Sequence, residues 1–337
     1  MRYLPWPLLL MLALSAWSAK AEILVVGNKG EDSVGFIDLA SGRMEVVRPT
    51  GRGPHEVAIS PDGRLAAVVA YGAGAGAGRS IDIFDVAKAV LRTHIDLGAH
   101  SRPHGILWHP DGRKLVVTTE GSGHLLVVDG ESGAIEKAIP TGAQGSHMVA
   151  LSSDGLRAYV ANLGSGTVSV IDIAAGERQA SLEVGHEAEG IALSPDGSRL
   201  WVTARAEDRV MVFDTERLER IAAIATGRMP IRVAISPDGT RAVTSNARDG
   251  TLSVIDTASL KLLATVTPGE GAADDSMPVT LLFHPDGRSL FVALTNAARI
   301  VRLSVPDFTR SAMIAAGKGS DGLGYSPLSP AWQRETP

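Results

Sequence analysis

The chain contains no cysteine. This excludes disulfides, thiolate metal sites, covalent c-type haem attachment and a lipid-modified N-terminal cysteine, so stability has to come from a large buried core. A basic surplus is also missing. The formal net charge of −5 does not supply the dense positive footprint that nucleic acid needs, and nucleic acid is not expected as a partner. No apolar run is long enough to span a bilayer. The longest, Leu8 to Trp17, is about half of the ~20 residues required. With Arg2 before it and the small-x-small pattern Ala19-Lys20-Ala21 after it, that run reads as a signal peptide over residues 1–21. An uncleaved N-terminal anchor is the alternative. The expected product begins at Glu22, carries no membrane span after cleavage and resides in the periplasm. No stretch sustains a helical apolar period beyond about two turns. No nucleophile elbow, helical metalloprotease motif or calcium loop of the usual spacing is present. The pattern Gly317-x-Gly319-x-x-Gly322 resembles a dinucleotide fingerprint only formally, because it leads into a terminal strand and not a helix.

What the chain does have is repetition. A turn of the form S/H-P-D-G places its aspartate at Asp62, Asp111, Asp154, Asp196, Asp238 and Asp286, with Ser153 in the proline slot of the third copy. The intervals are 49, 43, 42, 42 and 48 residues. A second landmark, two apolar residues followed by an aspartate, recurs at Asp38, Asp85, Asp129, Asp172, Asp214 and Asp256, with Ser304 in the seventh slot. Its intervals are 47, 44, 43, 42, 42 and 48 residues. Two landmarks with one period of about 42 residues define a four-stranded propeller blade.

Within a unit the segments are short β-branched runs bounded by turn residues, as in Met148 to Leu151, Ala158 to Ala161 and Val168 to Ile171; these are strand and hairpin signals. Asp38 precedes any S-P-D-G turn, so the first blade lacks its innermost strand at the N-terminus. Gly322-Leu323-Gly324-Tyr325-Ser326-Pro327 matches the start of a repeat and then stops. The expectation is an all-β, seven-bladed β-propeller over residues 22–337, its ring closed by the C-terminal strand pairing into the first blade, which removes exposed sheet edges. Two insertions, Gly72 to Gly78 and Gly269 to Ser276, are expected as surface loops.

Ser194-Pro195-Asp196-Gly197 followed by Leu200-Trp201-Val202-Thr203, and Ala158-Tyr159-Val160-Ala161-Asn162, resemble the YVTN-type β-propeller repeat family. The likeness covers nearly all of the mature chain. It implies the propeller fold and a family that includes surface-layer proteins, periplasmic proteins and neighbours of quinoprotein and cytochrome systems. The segments Gly185 to Ala192 and Gly319 to Gly324 look similar to exported members found near quinone-cofactor oxidation pathways.

In a propeller, the loops entering the innermost strand and those leaving the second strand share one rim, and a ligand site is expected there, at the channel mouth. Just before the innermost strand, consecutive blades carry His55, His104 and His147; the positions read as equivalent in the other units are Gly190, Ile231, Val279 and Gly322. Three such imidazoles suit a metal ion, a haem or an anion. The competing reading is that they only hydrogen-bond neighbouring backbone. Arg102 and Arg232, with His100 and His186, lie nearby in sequence. The second-strand exits add Asn28, Tyr71, Glu120, Asn162, Arg205 and Asn246, either as site residues or as loop caps. His109 and His284 replace the serine of the turn motif and belong to the far rim.

Three functions are compatible with this pattern. The first is a periplasmic binding or accessory protein that presents its channel mouth to a small molecule or a partner protein, with no catalysis evident. The second is a cofactor- or metal-binding, redox-associated propeller, by likeness to propellers that hold haem-d1 or copper clusters with channel-mouth histidines. The third is a lactonase-like hydrolase, by likeness to seven-bladed propellers with similar turns.

Overall fold

A computed structural model describes residues 21–74, 76–270 and 276–332. The signal-peptide pattern therefore falls almost wholly outside the described residues, as does most of the Gly269 to Ser276 insertion. The described residues form seven four-stranded antiparallel sheets arranged as the blades of a propeller. Among them, no helix is long and apolar enough to cross a membrane.

Blade 1 is built from Ile23–Asn28, Ser33–Asp38 and Arg43–Pro49, with Ser320–Ser326 as its innermost strand. The closing ladder pairs Ile23 with Ser326, Leu24 with Tyr325, Val25 with Gly324 and Val26 with Leu323. Glu22 fastens the seam, accepting a hydrogen bond from the Tyr325 hydroxyl at 2.7 Å. The innermost strands of blades 2 to 7 are Pro54–Ile59, Pro103–Trp108, Ser146–Leu151, Ala188–Leu193, Pro230–Ile235 and Pro278–Phe283.

The position of a strand within its blade explains its sequence pattern. Second and third strands are covered on both faces by neighbouring blades and read as continuous apolar runs, such as Leu115-Val116-Val117, all fully buried. Outermost strands cover one face only, so Arg43–Pro49 alternates exposed with half-buried residues, as period-two geometry requires. Seven apolar clusters follow, one at each blade interface. At the interface of blades 2 and 3, for example, Ile81 and Ile83 meet Leu115, Val117 and Trp108, whose indole donates to the Ala58 carbonyl at 3.1 Å.

The S-P-D-G turns work by one repeated bond set. In blade 2, the Ser60 hydroxyl donates to Asp62 Oδ1 at 2.6 Å and accepts from the Leu65 amide at 2.9 Å, while Asp62 accepts from the Arg64 amide. His109 and His284 fill the serine slot with an imidazole, each accepting through Nδ1 from the amide of Asp111 or Asp286.

One expectation is overturned. The glycine-rich tract from Gly72 is not a loop but extends a hairpin: Leu65–Ala73 and Gly76–Asp85 stay paired out to Ala73 opposite Gly76. The neighbouring blade holds it there, because Arg102 donates through its amide to the Gly78 carbonyl and through its guanidinium to the Gly74 carbonyl. Low side-chain content alone does not make a segment a loop when its backbone groups have partners.

Candidate functional site at the channel mouth

The innermost strands place a ring of side chains around the channel. Strand register corrects the sequence reading in two respects. First, the histidines are the second residue of their strands, not residues before them, since Pro54, Pro103 and Ser146 already pair with the next strand. Second, Ala188 and Ser320 occupy the same register position as Pro54, so the equivalents of His55 in blades 5 and 1 are Glu189 and Asp321, not Gly190 and Gly322. The glycines have another role. A Cβ on Gly190 would lie 2.5 Å from the Ile231 carbonyl oxygen, and one on Gly322 2.3 Å from that of His55. They are positions where inner strands crowd together, equivalent to Gly105 beside the His147 carbonyl.

The ring thus runs Asp321, His55, His104, His147, Glu189, Ile231, Val279. Five polar groups occupy one arc and two apolar ones the other, where Ile231, Ala247 and Val279 cluster with Met229 and Met277. The seven ring residues, with Lys29, Tyr71, Arg205, Met229, Arg232, Met277 and Thr295, line a cavity of about 270 Å³.

The imidazoles sit in contact: the ring centroids of His55 and His104 are 4.1 Å apart, and those of His104 and His147 3.6 Å apart with a 31° tilt. Their electrostatic settings differ. His147 directs Nδ1 to Glu120 Oε2 at 3.0 Å, and its Nε2 faces Glu189 Oε1 at 3.5 Å. Burial works against its charge, but the bonds to these two carboxylates outweigh that and raise its pKa. His55 receives a hydrogen bond from Lys29 Nζ at 2.6 Å, and its Nδ1 lies 3.1 Å from Asp321 Oδ2. Burial, reinforced by the Lys29 and Arg232 charges, holds its pKa well below that of a free imidazole. His104 is 1% exposed, and neither of its ring nitrogens has a hydrogen-bond partner among the described residues. Burial and its two histidine neighbours keep it well below the ordinary value as well.

Beneath the ring, Arg232 crosses the channel. Its guanidinium lies 2.5 Å from Glu56 Oε1 and 3.3 Å from Glu189 Oε1, joining blades 6, 2 and 5. Arg205 adds a contact of 2.7 Å to Glu189 Oε2. Asp321 is pushed up to about 6, first by burial and then by the Glu56 charge, against the pull of Arg232 and Lys29.

The candidates from sequence therefore separate. His55, His104, His147, Tyr71, Arg205 and Arg232 line the cavity; Glu120 reaches it through His147. Arg102 lies outside, its guanidinium 5.1 Å above the Tyr71 ring. Asn28, Asn162 and Asn246 are fully buried loop caps: each donates to a hydroxyl of the following strand or turn, Ser33, Thr167 and Thr251 respectively. His100 pairs with Ser122 and His124 away from the channel. His186 belongs to a larger groove of about 540 Å³ on the same rim, with Glu183, Glu187 and Glu207. There the carboxylates of Glu187 and Glu207 are engaged by Arg205 and by the His186 amide, and among the described residues the groove lining holds none of the buried side-chain atoms that lack a partner, whereas the channel mouth holds those of His55, His104, His147, Glu189 and Arg232. Sequence reasoning missed Glu189, Asp321, Glu56 and Lys29. Glu189 was within reach, since it stands seven residues before Asp196, as His55 stands before Asp62, His104 before Asp111 and His147 before Asp154.

The profile of the family described as Cytochrome D1 heme domain matches residues 111–232, just over a third of the chain. No curated protein sequence gives a significant match. Among solved structures, the chain is similar to Kuenenia stuttgartiensis hydrazine synthase, at 19% identity and TM-score 0.73 over 84% of this chain and 92% of that one. It is similar to the Pseudomonas aeruginosa periplasmic gluconolactonase PpgL, at 20% identity and TM-score 0.72 over 90% of this chain and 99% of that one. A functionally unknown protein from Desulfotomaculum acetoxidans aligns at 14% identity and TM-score 0.75 over 92% of this chain and all of that one. At these identities the likeness establishes the propeller fold and nothing further.

A haem does not fit the mouth. At about 270 Å³, near the lower end of the ~300–1,000 Å³ of typical small-molecule pockets, the cavity has room for a small ligand and not for a macrocycle. The stacked imidazoles also leave no flat slot between them, with centroids 3.6 and 4.1 Å apart. The matched segment includes neither His55 nor His104.

Proposed function

We propose that this is a periplasmic binding propeller that captures a small polar ligand at its channel mouth, without itself catalysing a reaction. The observation that carries this is His104. A buried polar group without a partner costs roughly 1–3 kcal/mol, and such groups are rare unless a ligand, ion or water completes them. Here two nitrogens of one ring are in that state, facing a cavity whose opposite wall is apolar. One arc supplies donors and acceptors and the other a surface for a hydrocarbon edge, which is how small-molecule sites are commonly built. The periplasmic location rests on the leader pattern of residues 1–21 and on the likeness to a periplasmic gluconolactonase.

The test is a thermal-shift screen of small polar ligands and divalent metal ions against the wild type and His104→Phe. Compounds that raise the wild-type melting temperature and leave the variant unmoved support the reading. Hits that are indifferent to the variant, or robust turnover of a screened compound, overturn it.

A second reading, a lactonase-like hydrolase, is favoured by one feature: His147 held between Glu120 and Glu189 is an acid–base couple at the cavity wall. It predicts a lactonase signal abolished by His147→Ala and by Glu120→Ala. Activity that survives both substitutions sinks it.

A further inference from the structure

We propose that His55, Glu56 and His104 form a three-ligand site for one divalent transition-metal ion, with an open coordination position facing the channel-mouth cavity. This deepens the binding reading and rests on it, since it names what completes His104.

Three observations converge. One donor atom from each of these residues lies within 4.8 Å of the other two. In a tetrahedral site with ligand bonds near 2.0–2.2 Å the donors are about 3.4 Å apart, so closure requires side-chain rotation and no movement of strands. His104 has both ring nitrogens buried and unpartnered, and His55 Nδ1 also lacks an aligned hydrogen bond. The third donor is a carboxylate already inside the protein: Glu56 is 8% exposed. His147 is not part of this trio: the donors that lie within 4.8 Å of one another are those of His55, Glu56 and His104, and His147 Nδ1 is bonded to Glu120.

The donor set decides the class of ion. Two imidazoles and one carboxylate suit zinc, cobalt, nickel, copper or iron, whereas calcium and magnesium require a mostly oxygen shell. Three protein ligands and an open position describe a site that holds an exchangeable water or ligand, not a closed structural one. The apolar arc of Ile231 and Val279 lies across the cavity from that position.

Lys29 is the competitor. Its ammonium lies 2.6 Å from His55 Nε2 and so leaves the ring proton on Nδ1, but its side chain is 41% exposed, so it can swing to solvent and let that proton move to Nε2 when the ion enters. Arg232 stays paired with Glu189 while Glu56 turns to the metal. Lys29→Met, which removes a cation without touching a ligand, is therefore expected to tighten metal binding on the order of tenfold.

The experiment uses tag-free full-length protein stripped with chelator and titrated with Zn²⁺ and Co²⁺, with Ca²⁺ and Mg²⁺ as parallel arms, read by calorimetry and by the visible spectrum of bound Co²⁺. Expected are one Zn²⁺ or Co²⁺ per chain, no Ca²⁺ or Mg²⁺, loss of the site in His104→Gln and in His55→Ala, tightening in Lys29→Met, and no change in the far-rim control His109→Ala. Melting curves show that each variant is folded, and Lys29→Met keeps the test decisive should a ligand variant misfold. Stoichiometric binding that survives both ligand substitutions, or Lys29→Met weakening or leaving affinity unchanged, overturns the site. If no metal binds but a small organic ligand still stabilises wild type and not His104→Phe, the metal is wrong and the binding function stands. If neither binds, both fall.

Discussion

Histidine stands on both rims of this propeller, in opposite circumstances. On the turn rim, His109 and His284 take the place of a serine, and each accepts from the amide two residues on and contacts the carboxylate of the same turn. At the channel mouth, His104 has no hydrogen-bond partner for either nitrogen among the described residues. The turn rim repeats one hydrogen-bond solution from blade to blade, so any side chain that satisfies it is acceptable. The channel rim changes around the ring, from carboxylate to imidazole to aliphatic, over the same backbone register. One rim carries what each blade needs to fold; the other carries the groups on which the proposed binding function rests.

That contrast depends first on the ring being closed. Deleting residues 320–337 removes the strand that pairs with Ile23 to Asn28 and exposes a ladder edge on blade 1. Size-exclusion chromatography and a thermal melt should then show aggregation or loss of cooperative unfolding. A truncated chain that stays monomeric and melts like the full-length protein would break the comparison at its root.

The next largest effect belongs to the ion pairs under the mouth. Arg232→Met leaves Glu56 and Glu189 buried without their shared cation, and removing one partner of a buried pair costs about 3–5 kcal/mol. Urea unfolding measures it. A loss below about 1 kcal/mol would mean that water reaches these carboxylates, and that the mouth is more open than described.

His104→Phe sharpens the contrast from the other side. It removes the unpartnered nitrogens, so stability should rise by roughly 1 kcal/mol while ligand binding disappears; at His109 the equivalent change removes turn contacts and should destabilise. Acid behaviour follows the same logic. With a folded pKa below the unfolded ~6.5, His104 favours the folded state fully above that pH, and the contribution is lost as pH falls from ~6.5 toward the folded value, because only the unfolded chain takes up the proton. His147, whose folded pKa is raised, works oppositely: its contribution is present below ~6.5 and lost as pH rises through the folded value. The fall in stability between about pH 6.5 and 5 should therefore be shallower in His104→Phe than in wild type, as urea midpoints across that range will show. An unchanged slope would mean that His104 is not held neutral.

The smallest effect is on the turn rim. Ser194→Ala deletes the bonds to Asp196 and to the Arg199 amide, a loss of about 1 kcal/mol. Its equivalent at Ser236 should match it within experimental error, because the turn chemistry is repeated. Unequal losses would show that the blades are less alike there than their bonds indicate.

The fold was readable because propeller blades impose local requirements that recur. Ser60 with Asp62 and Ser194 with Asp196 write the same turn into different blades, and the tail matched a repeat start that blade 1 was missing. The site was readable only where it shared that periodicity. His55, His104 and His147 stand at one repeat position and announced themselves. Glu189 was masked by Gly190, a residue chosen for strand crowding and mistaken for the register position. Glu56 and Arg232 are 176 residues apart in sequence and meet only across the channel, so no local pattern contains their pairing. Asn28, Asn162 and Asn246 were found by position but serve the fold, each fully buried and tying its own strand to a hydroxyl on the next.

The most direct test of the central claim is ¹H–¹⁵N NMR of the histidine ring nitrogens across pH and during ligand titration. The account predicts that His104 shows one protonated and one bare nitrogen, stays neutral well below pH 6.5, and shifts when ligand enters the mouth. A His104 ring that titrates like a free imidazole, or that stays unmoved while bound ligand perturbs other rings, would contradict it.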